Sequence, residues 1–151
     1  MARFEPRDPD FEAKVRSSFD RQTAMQTIGA VMGKVGPGEV EIEMPYRADL
    51  TQQHGFIHGG IVTAIVDSAC GYAAFSLSAP DTAILTVEYK VNFIAPAKGQ
   101  RLIARGEVVR PGSTVTICKG DVLAYDGDEE KLVATMLTTM MLMPNQPDLM
   151  G

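Results

Sequence analysis

An aspartate lies in the middle of the most apolar stretch of the chain, residues 54–74, which reads HGFIHGGIVTAIVDSACGYAA. From Ile61 to Leu77 nearly every residue is apolar or small, yet Asp67 carries an ionisable carboxylate. Burial of an unpaired charge is costly, so such a group is usually either paired or used in chemistry. Asp67 is therefore either a structural carboxylate, which caps a loop or pairs with an arginine of another chain, or a catalytic one.

Three further side chains in this stretch have types that support chemistry. His54 and His58 are four residues apart, a spacing that suits a metal ion on a helix. Both precede the predicted helix, however, and no carboxylate or cysteine completes the ligand set, so no metal site is expected. Cys70 has no histidine partner, and we expect it to be a small core residue rather than a nucleophile.

The composition predicts one acidic globular domain. The 151 residues carry a net charge of −5 without a Lys/Arg cluster, so we expect no nucleic-acid partner. Cys70 and Cys118 are unclustered, and the amino terminus has no apolar signal segment. Both features predict a protein of the reducing cytoplasm. No apolar run of 18 residues lacks polar interruptions, so no membrane span is expected.

The helix that positions Asp67 is predicted from Gly59 to about Ser78. Its apolar side chains lie all round it, which indicates burial on most sides. Gly71 and several alanines indicate that a neighbouring element packs very close to it. The preceding segment, PYRADLTQQHGFIH, is long for a compact domain and is a candidate functional loop.

The strand after this helix, LTVEYKVNF, alternates with a period of two. Strict alternation predicts that Leu85, Val87, Tyr89, Val91 and Phe93 face one way and that Thr86, Glu88, Lys90 and Asn92 face the other. Five further strands are predicted over 27–35, 38–46, 100–110, 113–125 and 131–143.

These elements predict an α+β fold in which a sheet of about six antiparallel strands curls around one long central helix. Phe11, Val15 and Phe19 have helical spacing, and Asp8 and Asp10 can cap the start of their helix. We therefore divide the chain into an N-terminal amphipathic helix packed on the domain (1–24), the main domain (25–143) and a frayed tail (144–151).

Two motifs carry a resemblance to a known family. The pattern H-G-G-x(6)-D at residues 58–67 is followed by T-V-E-Y-K-V-N-F-x-A-P-A at 86–97. Together they resemble the PaaI-like thioesterases of the hotdog fold, over roughly residues 25–143. The resemblance implies hydrolysis of acyl-CoA or acyl-carrier thioesters without a metal or organic cofactor.

The resemblance also implies roles for individual residues. The backbone amide of Gly59 would hold the thioester carbonyl, Asp67 would act as general base or nucleophile, and Thr86 would position the attacking water. Family members commonly carry an asparagine six residues before the motif histidine, where this chain has Gln52. We expect Gln52, with His58 and Thr86, to orient water or substrate. We expect His58 to orient the loop and the helix start through hydrogen bonds.

Helix geometry places two of these groups too far apart to act within one chain. Asp67 is eight residues from Gly59 on the same helix, or about 12 Å at 1.5 Å per residue. Both groups must reach one carbon within hydrogen-bonding distance. Two antiparallel copies of the helix, related by a two-fold axis, would solve this, so we predict an obligate homodimer with shared sites. Pairing of dimers into tetramers is left open.

Substrate-binding residues are predicted on both sides of the motif. Phe56, the helix and the methionine-rich last strand are candidates for the acyl pocket, and Gly60 is expected to allow close packing. Arg110, with Gly112 and Ser113 in the following turn, is either an anchor for the CoA phosphates or a solvated hairpin charge.

Two other functions fit the same fold. One is a non-catalytic acyl-CoA-binding dimer, which is favoured by Gln52 in place of asparagine. The other is a hydratase, which usually places a histidine and an acid together; here the only histidines lie in the loop before the helix. The sequence leaves the identity of the acyl group open.

Overall fold

The computed structural model of the protein describes residues 3–146 and 149. Two short helices precede the first two strands, a long helix follows, and four strands complete the chain. The elements are α1 (Phe11–Asp20), α2 (Thr23–Ile28), β1 (Val31–Gly36), β2 (Glu39–Pro45), a single 3₁₀ turn (Ala48–Leu50), α3 (Gly59–Ser76), β3 (Thr82–Phe93), β4 (Arg101–Arg110), β5 (Val115–Asp126) and β6 (Glu129–Pro144).

The six strands form one antiparallel sheet in the order β1-β2-β4-β5-β6-β3. The sheet curls around α3, whose side chains form the centre of the core with the inward-facing residues of the strands. The predicted α+β hotdog fold, with its long central helix and six strands, is confirmed. Within the described chain β1 and β3 are the edges of the sheet, and β3 is paired only with β6.

Close contact between α3 and the sheet depends on glycines in the strands. A Cβ atom at Gly106 of β4 would lie 2.3 Å from the carbonyl carbon of Ala69, and one at Gly120 of β5 would lie 2.8 Å from Sγ of Cys70. At Gly71, by contrast, a Cβ would meet only an ordinary contact at 3.9 Å. The close neighbour expected from Gly71 is thus found on the opposite face of the helix, where the glycines belong to the sheet.

We expect Gly106→Ala to lower the free energy of unfolding by about 3 kcal/mol, because its methyl group would overlap the α3 backbone. Gly36→Ala is the matched control, since a Cβ there would have its nearest neighbour at 4.0 Å. Urea unfolding at equal protein concentration measures both. Equal stability of the two variants would contradict this account of the helix–sheet contact.

The N-terminal helix differs from its prediction. The single helix expected up to residue 24 ends at Asp20, and α2 begins at Thr23 after Gln22 takes an extended conformation. Gln22 contains no helix-breaking feature, but its side chain accepts a hydrogen bond from Ser68 on α3, 3.1 Å away. The prediction of a frayed tail falls mainly on residues 147–148 and 150–151, which lie outside the described residues.

α3 is long and apolar enough to cross a membrane by length and composition alone. In the fold 61% of it is buried against the sheet and α1. It is therefore the core helix of this domain.

Candidate active site

One face of α3 lines two open cavities, and Asp67 borders both. Towards the start of the helix, a cavity of about 540 Å³ lies between Gly59, Thr63 and β3. Towards its end, a cavity of about 210 Å³ lies beside Tyr72. Residues 59, 63, 67, 71 and 75 are spaced four apart and lie on one face of the helix, so one stripe of α3 lines both cavities. The Asp67 carboxylate therefore stands where the two cavities meet.

The Asp67 carboxylate is half-buried and makes one side-chain hydrogen bond among the described residues. The Thr86 hydroxyl on β3 donates to Oδ1 of Asp67 over 2.9 Å. Burial raises the pKa of the Asp67 carboxyl, and the Thr86 hydrogen bond opposes that rise. With no basic side chain bonded to it in the described structure, Asp67 has the environment of a proton acceptor rather than of an ion-pair partner.

A β-bulge in β3 brings Thr86 to Asp67. Thr86 is paired with Met140 and Glu88 with Thr139, so Val87 is an extra residue on this strand. The prediction that Leu85 and Tyr89 share a face was wrong for this reason. Before the bulge Thr86 points at α3.

After the bulge the helix-facing residues are Tyr89, Val91 and Phe93, which line the larger cavity together with Gly59. Glu88 lies on the opposite face, where its carboxylate accepts a hydrogen bond from Thr139. The bulge therefore lets one strand present a hydroxyl to Asp67 and an aromatic wall to the helix start.

The first turn of α3 leaves one amide free. Gly60 donates to Nδ1 of His58 over 2.9 Å, and Ile61 and Val62 donate to the His58 carbonyl. The Gly59 amide has no acceptor within the described residues, and it lies at the positive end of the helix dipole. This turn therefore presents a single available donor, at Gly59, to a developing negative charge.

The His58 side chain caps α3, because its Nδ1 accepts the Gly60 amide hydrogen bond. A neutral ring with an accepting Nδ1 carries its proton on Nε2. A Cβ at Gly59 would lie 3.1 Å from the Phe93 ring, and one at Gly60 would lie 3.0 Å from Nδ1 of His58. The absence of a side chain at Gly59 and Gly60 therefore leaves room for the Phe93 ring and the His58 ring, respectively.

Gln52 makes hydrogen bonds to other residues of the loop that precedes α3. The Gln52 side-chain oxygen accepts a hydrogen bond from the His54 amide, and its backbone amide donates to the Phe56 carbonyl over 2.9 Å. Gln52 and Phe56 also line a cavity of about 240 Å³ that reaches Gly59. The structure thus places both residues next to the helix start.

The turn after β4 lies away from this site. Arg110 is three strands from β3 in the sheet order, a distance of about 14 Å at the usual strand spacing. Arg110, Gly112 and Ser113 border neither cavity that contains Asp67. Gly112 is required by the turn itself, since a Cβ there would lie 2.0 Å from the Val115 carbonyl oxygen.

The two cysteines are poorly placed to act as nucleophiles. Cys70 and Cys118 are both fully buried, and burial raises the pKa of Cys118 to about 12. Burial raises the pKa of Cys70 as well, so both thiols stay protonated near neutral pH. Among the described residues, no group of three His, Cys, Asp or Glu side chains is placed to hold a metal ion.

Several residues of the site were not predicted from the sequence. Ser18, Gln22 and Tyr72 line the smaller cavity beside Asp67, and Ser18 and Gln22 belong to the N-terminal segment. Their positions depend on hydrogen bonds between residues far apart in the chain, such as Ser18 and Tyr72. Local periodicity carries no such information.

The family model of the thioesterase superfamily matches residues 54–131 of this chain. This range includes Gly59, Asp67 and β3. This chain belongs to the thioesterase superfamily. A solved thioesterase family protein from Silicibacter pomeroyi is 51% identical, with a TM-score of 0.87, over 89% of this thioesterase and 98% of that chain. The resemblance drawn from residues 58–67 and 86–97 is thus confirmed.

Two further comparisons extend this result. The E. coli PaaI protein from the phenylacetic acid degradation operon superposes with a TM-score of 0.80 at 17% identity, over 89% of the thioesterase and 94% of that chain. Human acyl-coenzyme A thioesterase 13 is 24% identical over 114 residues, which are 72% of this chain and 81% of the human protein. The thioesterase is accordingly a thioester hydrolase.

Proposed function

We propose that this thioesterase hydrolyses acyl-CoA to a free carboxylic acid and CoA, in the cytoplasm, at sites shared between two subunits. The observation that carries the proposal is the pair of groups on one stripe of α3: a half-buried carboxylate at Asp67 and, at Gly59, an amide that has no acceptor among the described residues. Thioester hydrolysis needs both an activated oxygen nucleophile and a donor for the oxyanion.

In the proposed reaction Asp67 removes a proton from water, and the water oxygen bonds to the thioester carbon. The amide of Gly59 of the partner subunit holds the oxyanion that forms. The C–S bond then breaks, the CoA thiolate takes the proton from Asp67, and the acid is released. Thr86 holds the Asp67 carboxylate in position. Every atom is supplied by the ester and water, so the reaction as written needs no metal or organic cofactor.

An apolar sheet edge that the described residues leave uncovered supports the proposed dimer. Val87 of β3 is 54% exposed and Phe93 is 56% exposed, although apolar edge strands normally pair with another chain or are covered. The α3 stripe beside this edge contains mainly small residues, including Gly59, Gly60 and Ala64. Small side chains allow a second helix to approach closely.

The positions of residues on α3 and on β3 are consistent with the same two-fold axis for the proposed dimer. If Gly59 of one subunit faces Asp67 of the other across antiparallel helices, the two-fold axis passes Thr63, midway between them. On β3, Thr86 contacts Asp67 and Phe93 contacts Gly59. Antiparallel pairing of two β3 edges around Tyr89 and Lys90 would therefore bring Phe93 of one subunit towards Thr86 of the other. Both elements support one arrangement.

Two subsites of the substrate are included in the proposal. The pantetheine arm is expected to run past Gly59, Gln52 and Phe56, because one cavity joins these residues. Arg110, Gly112 and Ser113 remain candidates for the CoA phosphates. About 13 bonds separate the thioester sulfur from the first phosphate, which is about 16 Å for an extended arm at roughly 1.2 Å per bond. This length is comparable to the three strand spacings between Arg110 and β3.

Release of free thiol over a panel of acyl-CoA esters tests the proposal. We expect hydrolysis of at least one ester class in proportion to enzyme, with the acid and CoA formed in equal amounts. Tight binding of CoA without thiol release from any ester would instead favour an acyl-CoA-binding dimer.

A further inference from the structure

The smaller cavity beside Asp67 has one wall that the reaction does not use. It occupies about 210 Å³ between the second half of α3, the start of β3, β6, the N-terminal residues Ser18 and Gln22, and Leu149 near the carboxyl end of the chain. Phe75, Ile84, Met140 and Leu149 supply apolar surface, while Ser18, Gln22 and Tyr72 supply polar atoms. Because Asp67 borders this cavity, an acyl group whose carbonyl carbon lies at Asp67 can extend into it.

The polar atoms occur in two hydrogen-bonded pairs. The hydroxyls of Ser18 and Tyr72 lie 3.1 Å apart, and Ser68 donates to the Gln22 amide oxygen over 3.1 Å. Two hydroxyls that share one hydrogen bond use only one of their two protons. The second proton, and the amide nitrogen of Gln22, have no acceptor within the described residues. The wall therefore retains donors for a ligand.

Contacts between α1 and the end of α3 position this wall. Lys14 of α1 donates to the Ser78 carbonyl over 2.9 Å and lies 4.6 Å from the centre of the Phe75 ring. Its ammonium group is also 3.6 Å from the buried carboxylate of Asp8. Phe19 packs edge-on against Tyr72, with ring centres 5.9 Å apart. The N-terminal segment is thus anchored to the end of α3, so Ser18 and Gln22 keep their positions.

The distance along α3 indicates the length of the group that would reach this wall. Tyr72 follows Asp67 by five residues, which is about 7.5 Å along the helix axis. An extended chain advances roughly 1.2 Å per bond. A polar atom about six bonds from the thioester carbon would therefore reach the Ser18–Tyr72 pair, with its methylene or aryl portion against Phe75, Ile84 and Met140.

We infer that Ser18, Gln22 and Tyr72 determine acyl specificity, and that the thioesterase prefers acyl groups with a hydroxyl or other polar atom at the end remote from the thioester. This inference rests on the proposed function. It assigns a role to residues of the N-terminal segment, which lies outside the part of the chain that matches the superfamily. An unsubstituted alkyl end would displace water from the wall's donors and leave them without an acceptor, which disfavours its binding.

Two esters that differ by one hydroxyl test this inference: hexanoyl-CoA and 6-hydroxyhexanoyl-CoA. We expect wild-type kcat/KM to be about ten-fold higher for the hydroxy ester, since 1.4 kcal/mol corresponds to a factor of ten. In the double variant Ser18→Ala/Tyr72→Phe the ratio should fall to about one, because the aromatic ring at position 72 and both helices are kept while both hydroxyls are lost. Ser17→Ala, on the exposed side of the same helix, should retain the wild-type ratio.

Binding of the same esters to Asp67→Asn separates this inference from the proposed function. The hydroxy ester should bind about ten-fold more tightly, and the difference should disappear when Ser18→Ala/Tyr72→Phe is added. A wild-type ratio near one, or a ratio that the double variant leaves unchanged, would overturn the inference. If wild type hydrolyses neither ester nor any other acyl-CoA, the proposed function fails, and the binding ratio still decides the role of the wall.

Discussion

Replacing Asp67 with asparagine is expected to lower kcat/KM for acyl-CoA at least about 1,000-fold, the range seen when a general base is removed. Asparagine has the same shape and can still accept the hydrogen bond from Thr86, so the fold should persist. Steady-state thiol release measures the loss, and circular dichroism checks the fold. Activity within ten-fold of wild type would remove Asp67 from the mechanism.

The pH dependence provides a second check on Asp67. The reaction needs the carboxylate, and burial raises the pKa of that group, so kcat/KM should fall on acidification at a higher pH than for an ordinary aspartate. Thr86→Val removes the hydrogen bond that opposes this rise. Its acid limb should therefore lie at a still higher pH than that of wild type. An unchanged limb would show that another group controls the rate.

The Asp67→Asn substitution should also change the stability of the folded protein, and the direction of the change depends on pH. An acid whose pKa is higher in the folded than in the unfolded chain stabilises the fold below the unfolded pKa and loses that contribution as pH rises through the folded pKa. Ionised Asp67 is therefore a destabilising group at neutral pH. At neutral pH, Asp67→Asn should raise Tm by about 1–3 °C. This gain in Tm should shrink as the pH falls towards the usual aspartate pKa, and thermal unfolding over a series of pH values measures it.

The second large effect concerns the partner subunit. Gly59→Pro removes the amide hydrogen of the proposed oxyanion donor and should lower kcat by about 100-fold or more. Proline is well tolerated at the first position of a helix, and the extended backbone of His58 (φ −58°, ψ 136°) suits a residue before proline. Gly59→Ala is the matched control, because it adds a Cβ next to Phe93 but keeps the amide hydrogen.

Mixing the two inactive variants decides whether the site is shared. In a heterodimer of Asp67→Asn and Gly59→Pro subunits, one site would carry both defects and the other would carry neither. After unfolding and refolding an equal mixture, about half of the dimers are mixed, so about a quarter of wild-type activity should return. If both groups acted within one chain, every site would contain a defect and no activity would return. Separately refolded variants serve as controls.

The sequence predicted the elements that depend on local pattern. The all-round apolar character of residues 61–77 indicated a buried helix, and alternation in LTVEYKVNF indicated a strand. The distance along the helix between Gly59 and Asp67 also predicted a site shared between two chains, and this stays a prediction. These features depend on spacing within one element, which the sequence contains directly.

Features that depend on tertiary contacts escaped prediction. The bulge at Val87 leaves alternation in the sequence intact and appears only through pairing with Met140 and Thr139. The break between α1 and α2 at Gln22 contains no proline or glycine, and the residue instead bonds to Ser68 across 46 positions of sequence. The polar wall near Asp67 was missed for the same reason.

The bulge at Val87 gives β3 one residue more than its two contacts with α3 require. Without Val87, Thr86, Glu88 and Tyr89 would pair with three consecutive residues of β6 and alternate regularly, so Thr86 and Tyr89 would still face the helix. Deletion of a paired residue such as Lys90 would instead turn part of the strand to the opposite face. We therefore expect variants of this enzyme to accept the loss of Val87 far better than the loss of a paired residue of the same strand.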